Sequence, residues 1–280
     1  MLGLSRQFAT RHPGGPVSEH HESTSTLPVS AVAADSAVGE TFAGKSLARE
    51  SFAGLRLRGA DFRASDLSMA DFRDAIVEGA NFEGADLSGA QFQNADLRRA
   101  LFTDARLLYA GFAGARLDDA VFTRAFMHHA DLRKASALSA RFTWARLMHA
   151  TLFGARCAGA DFTGATVRFA DCRTADLSYT TFEFADAAAV KLASASLRGA
   201  LLLSVNLDGA SVAGADLTGA SFGRTVITDC RDLDRAIGLA SISHMAPSSM
   251  DVMTYRRLRD RLPAPFLTGL GIDVPADVTI

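Results

Sequence analysis

One five-residue rhythm runs from Glu40 to about Thr228 without an insertion or deletion, and it leaves few folds open. Phe62, Leu67, Phe72, Val77, Phe82, Leu87, Phe92 and Leu97 are each five apart, nearly every one two residues after an alanine. The unit is a small residue, a polar one, a bulky apolar one and two loose positions, as in Ala60-Asp61-Phe62-Arg63-Ala64 or Ala85-Asp86-Leu87-Ser88-Gly89. Such self-similarity is read before any helix or strand. A helix repeats about every 3.6 residues and a flat strand every second one. Neither keeps each fifth side chain on one face, so the chain must turn after each unit.

A second rhythm overlies the first. Phe and Leu alternate early in the bulky position; beyond Phe122, the residues Phe142, Phe162 and Phe182 alternate with Leu152, Cys172 and Leu192, and the surviving period is twenty. If stacked positions hold like with like, four units make one four-sided circuit. Neighbouring circuits then pair like parallel strands about 4.8 Å apart, in a stack on the order of 45 Å tall. The fold expected is an all-β solenoid, a quadrilateral β-helix over 40–229.

The interior of such a coil admits one large side chain per side. Phe and Leu fill the axis, and the corner stays small: it is Ala in every unit from Ala70 to Ala175. A larger corner residue should cost about 1–3 kcal/mol by overpacking, and truncating a stacked Phe to Ala about 3–5 kcal/mol. Glycine recurs in the last position, as at Gly79, Gly84 and Gly89, where a type II turn requires positive φ. Proline is absent from Glu40 through Ala246, as it should be where rungs donate their backbone N–H groups to neighbours.

The unit A-(D/N)-(L/F)-x-x, as in Ala80-Asn81-Phe82-Glu83-Gly84, resembles the pentapeptide-repeat family over about two thirds of the chain. The resemblance implies a right-handed quadrilateral β-helix and, for most members, no catalysis. It also implies an alternative use, since the best-known members mimic duplex DNA, occupy the DNA groove of DNA gyrase and protect against quinolones.

The flanks read differently. Residues 1–39 hold Pro13, Pro16, Pro28, His20, His21 and a Ser/Thr run without periodicity, and are expected to be a disordered arm. No secretory signal and no membrane span are expected. Three cysteines, Cys157, Cys172 and Cys230, fit neither a disulfide framework nor a metal motif, which points to a reducing cytoplasm. In the first circuit Glu40, Lys45, Glu50 and Leu55 replace the corner alanines, and charge on an outermost rung discourages end-to-end addition.

Residues 230–280 are expected to form a short α-helical cap and tail. From Asp232 onward, Leu233, Ala236, Ile237 and Ala240 follow helical spacing. A second helix is expected with Ser248 and Ser249 as caps, a stripe of Met250, Met253, Leu258 and Leu262, and Pro263 as its stop. That stripe would serve either a homodimer or a fold-back over the chain's own stack.

A filled prism works through its outward positions. Sorting them by the period of twenty gathers Arg106, Leu108 and Tyr109, then Phe126, His128 and His129, then Arg146, Met148 and His149, then Arg168 and Phe169 on one side. Aromatic, Met and Arg residues are the anchors of protein interfaces, so this side is the expected docking surface. An adjacent group, Trp144, Phe184, Leu201 and Leu203, is expected to receive the terminal helix. The histidines could make docking pH-sensitive, but parallel side chains on a flat face do not converge on a metal, and no metal or cofactor is expected. A filled solenoid offers no cleft for a catalytic triad and no phosphate loop.

The function expected is therefore a non-enzymatic interaction scaffold with a protein partner. DNA gyrase is the partner if the DNA-mimic alternative holds. The formal net charge is −2, and acidic and basic residues in the repeats nearly cancel. A DNA mimic should be markedly anionic, and direct nucleic-acid binding would need a net basic stripe.

Overall fold

The computed structural model describes residues 39–230 and 232–273, so nearly all of the arm expected at 1–39 lies outside the described residues. From Thr41 through Asn206, the polar position of each unit forms a parallel bridge with the residue twenty further on: Thr41 with Asp61, Asp61 with Asn81, Asn81 with Leu101, Leu101 with Val121. Each unit is thus one side of the coil, and four sides return the chain to the same register one rung higher.

The backbone hydrogen bonds explain the unit. In the second circuit, the Ala60 N–H closes a turn onto Leu57 O, and Asp61 N–H donates to Glu40 O in the circuit before. Phe62 and Ala64 N–H donate to Asn81 O and Glu83 O in the circuit after. Four of five N–H groups are satisfied by backbone, and the remaining one belongs to Arg63. It donates to Asp61 Oδ1 at 3.1 Å. Arg73 on Asp71, Glu83 on Asn81, Ser88 on Asp86 and Thr163 on Asp161 repeat the arrangement. The recurrent Asp or Asn of the unit is the acceptor for the one backbone donor that the ladder leaves over.

The bulky position points inward. Phe42, Phe62, Phe82, Phe102, Phe122, Phe142, Phe162 and Phe182 form one column with ring centroids 4.8–5.0 Å apart. Phe52, Phe72, Phe92 and Phe112 form a second from the opposite side, meeting the first edge-on at 5.5–6.1 Å. Stacking within columns and edge contacts between them are both favourable for aromatic quadrupoles. At two corners that are not Ala, the hydroxyls of Ser65 and Thr180 are buried and donate to the carbonyls of Phe62 and Leu177, three residues back. In the first circuit Glu40, Lys45 and Glu50 are exposed.

The helix expected from Asp232 does not form. Leu233–Arg235 and Leu239–Ser241 are single 3-10 turns separated by Gly238, which sits at φ 80°. Between and beyond them the chain pairs again with the open rung. Ile237 N–H donates to Ala215 O, and Leu217 N–H to Ile237 O. The short strands β1 (Leu201–Leu203), β2 (Ser221–Gly223) and β4 (Ser243–His244) line up in parallel, as do β3 (Val226–Ile227) and β5 (Ser249–Met250). An open rung offers unpaired backbone groups, and pairing with them outcompetes a short helix.

Two helices follow, α1 (Val252–Leu258) and α2 (Ala264–Gly269). Asp251 caps α1 in place of the expected Ser248 and Ser249, and Met250 is a strand residue. Leu258 and Leu262 are buried, whereas Met253 is 70% exposed, so the expected stripe is not one surface. Pro263, expected as a stop, is the N-cap of α2. Phe266 of α2 packs against Phe222, the last lumen phenylalanine, and against His244. The terminal helices therefore meet the end of the stack. They leave Trp144 and Phe184, where a helix was expected, 56% and 55% exposed. Among the described residues, no helix is long and apolar enough to cross a membrane.

Candidate protein-docking face

The last position of each unit is the second central residue of a turn and takes a left-handed backbone whatever its side chain. Tyr109, His129, His149 and Phe169 have φ of 58°, 58°, 59° and 57°. Identical backbone conformations one circuit apart aim these side chains alike. The four rings stack along a corner at 4.9, 5.0 and 5.0 Å, within 9° of parallel. Tyr109 and Phe169 at the ends are 64% and 43% exposed.

Beside this corner, Arg106, Phe126 and Arg146 follow one another through parallel bridges. The Arg146 guanidinium lies 4.7 Å over the Phe126 ring, and that of Arg168 lies 5.7 Å from the Phe169 ring. Arg106 pairs with Asp86 at 3.5 Å and Arg168 with Asp186 at 3.1 Å, at either end of the strip. Leu108, His128, Met148 and Arg168 fill the half-buried row between. All eleven residues grouped by the period of twenty thus lie on one side and its corner.

The histidines stack and do not converge. Burial, then the positive Arg146 and the neighbouring His129 and His149, hold His128 below the ordinary imidazole pKa. Among the described residues, no group of three or more His, Cys, Asp or Glu could hold a metal ion.

Other corners carry rings that sequence reasoning passed over or misassigned. Trp144 covers Gly164, and Tyr179, 71% exposed, covers Gly199; each ring occupies space that a Cβ on the glycine would need. The signal was present: an aromatic in the last position followed twenty residues later by Gly. Also unforeseen were the guanidinium forks of Arg63, Arg73, Arg98, Arg133 and Arg173 onto the Asp two residues earlier. These pairs hold Asp61, Asp71, Asp96 and Asp171 below the usual carboxylate range, chiefly through the Arg side-chain hydrogen bond.

Comparison with curated proteins finds no match. Among solved structures, the chain is similar to HetL, a pentapeptide repeat protein involved in heterocyst differentiation regulation from the cyanobacterium Nostoc. That match has 24% identity, 76% of this chain and 90% of that one covered, and a TM-score of 0.31. It is similar to a pentapeptide repeat protein of the Arabidopsis thaliana thylakoid lumen, with 31% identity, 32% and 63% covered and a TM-score of 0.32. A trypsin-treated variant of QnrB1, a plasmid-mediated fluoroquinolone resistance protein, matches at 22% identity, with 85% and 98% covered and a TM-score of 0.36. The family model for pentapeptide repeats matches in eight copies over 51–79, 65–104, 100–136, 115–154, 155–187 and 188–224. With the five-residue unit, the parallel pairing at twenty and this match all on the same residues, the chain belongs to the pentapeptide-repeat family, whose fold is a right-handed β-helical solenoid.

Proposed function

We infer that this protein is a non-enzymatic interaction scaffold of the cytoplasm and that the side bearing Tyr109, Phe126 and Phe169 docks a protein partner. The observation that carries the reading is the exposed four-ring column flanked by Arg146 on Phe126. Its backbone is held by parallel bridges to the circuits on both sides, so docking it costs little ordering entropy. The two terminal helices close the C-terminal end of the stack. The burial of Leu258 and Leu262 within their own chain supports that role over a dimer seam. The DNA-mimic reading is weakened by the arginine forks on Asp61, Asp71, Asp96, Asp131 and Asp171 and by the cation-rich residues 121–160, which interrupt the negative charge along the prism.

The test is the double substitution Tyr109→Ser/Phe126→Ser. Both side chains lie outside the lumen, so thermal unfolding should be unchanged while capture of the native partner from cell extract is lost. Undiminished capture would overturn the reading. Gyrase supercoiling assayed in parallel should be the same with and without the protein.

A further inference from the structure

The formal charge of the chain is −2, yet it is far from even along the axis. Residues 61–120, three circuits, carry eleven Asp and Glu against six Arg. Residues 121–160, two circuits, carry six Arg and Lys against one carboxylate, Asp131; residues 161–230 return to eight carboxylates against five cations. Within the middle band, Arg124 pairs with Asp104 and Arg133 with Asp131. Lys134, Arg141, Arg146 and Arg156 make no ion pair with a described residue.

The fold makes this stretch into two stacked circuits, a positive belt about 10 Å tall between two negative zones. Arg141 and Arg146 hold the same position on adjacent sides, with exposed Trp144 at the corner between them. Arg124 lies one circuit back in the Trp144 column, and Phe126 lies beneath Arg146.

We propose that this belt binds an acidic segment of a partner protein that also carries leucine or aromatic anchors and lies across the stack, not along it. The proposal deepens the docking reading and rests on it. Arg141 and Arg146, on adjacent sides and without an ion-pair partner among the described residues, favour an anion over water, and Trp144 between them and Phe126 beneath Arg146 give apolar anchors a seat. Nucleic acid fits less well. A duplex about 20 Å wide would overlap the carboxylate-rich circuits on either side.

The experiment measures binding of a short fluorescent peptide alternating Glu with Leu, beside the same peptide with Lys for Glu and a single-stranded oligothymidine of equal length. The Glu peptide should bind, should weaken as salt rises from about 0.05 to about 0.3 M, and should bind about tenfold more weakly to Arg141→Gln/Arg146→Gln. Both arginines are exposed, and the variant should melt like wild type. Equal binding of the Lys peptide, preference for oligothymidine, or indifference to the double substitution would each overturn the proposal. Partner capture separates the two readings. Capture lost with Tyr109→Ser/Phe126→Ser but kept with Arg141→Gln/Arg146→Gln sinks the acidic segment alone, whereas capture kept by both variants sinks the docking face itself.

Discussion

Trp144 is the only tryptophan, and its ring fills the place that a Gly164 Cβ would take. Gly164 also has φ of 65°, a conformation that other corner residues such as Asp104 and Phe184 adopt at some strain. Gly164→Ala should therefore displace the indole and cost on the order of 1 kcal/mol. The check is tryptophan fluorescence, whose emission should shift, with a small fall in the denaturation midpoint; an unmoved spectrum would mean that the ring does not rest there. The same residue-scale logic explains why Asp and Asn dominate the second position. Their side-chain oxygen accepts from the turn N–H that no carbonyl reaches, as Asp71 does for Arg73 and Asn81 for Glu83.

At the scale of the element, α1 depends on Asp251. Its carboxylate accepts from the N–H groups of Met253 and Thr254 at 2.9 Å each and from that of Asp229 at 3.1 Å, tying the helix to the last corner of the stack. The neighbouring Thr254 side chain first, and then the backbone N–H groups of Thr254, Asp229 and Met253, lower its pKa from 3.8 to about 2. A depressed carboxyl pKa stabilises the fold fully above the ordinary value of 3.8, and the contribution is lost as pH falls through about 2. Asp251→Ala should cost about 1 kcal/mol at neutral pH. Amide exchange in α1 should read both effects: faster exchange in the variant at neutral pH, and loss of wild-type protection across that acid window. Cap and helix were hard to see in the sequence because Ser248 and Ser249 advertised a cap two residues too early, and pairing with Val226–Ile227 drew Ser249 and Met250 into a strand.

For the whole molecule, the filled lumen is testable through its thiols. Burial raises the pKa of Cys157 and Cys230 to about 12 and that of Cys172 further still. At about pH 8 a thiol reagent should label none of the three until the protein is unfolded; rapid labelling of native Cys157 would contradict a packed axis. The lumen columns, and the gathering of the eleven residues proposed for docking on one side, were legible because the period of twenty carries Phe82 over Phe102 and Tyr109 over His129 without interruption. The last circuit was not, because Ile237, Ser243 and Ser249 stand twenty-one, twenty-two and twenty-three residues from Asp216, Ser221 and Val226, and the drift erases the period. The positive belt was hidden for a different reason: a charge summed over all the repeats averages opposite zones to near zero. The offset of twenty between bridged residues, unbroken from Thr41 to Val226, also governs how such a molecule can change length. Excising one full lap would shorten the prism and leave every vertical column in line. Excising a single unit between Tyr109 and His129 would rotate everything downstream by a quarter turn, moving His129, His149 and Phe169 away from Tyr109 and splitting the proposed docking face while the lumen stayed filled.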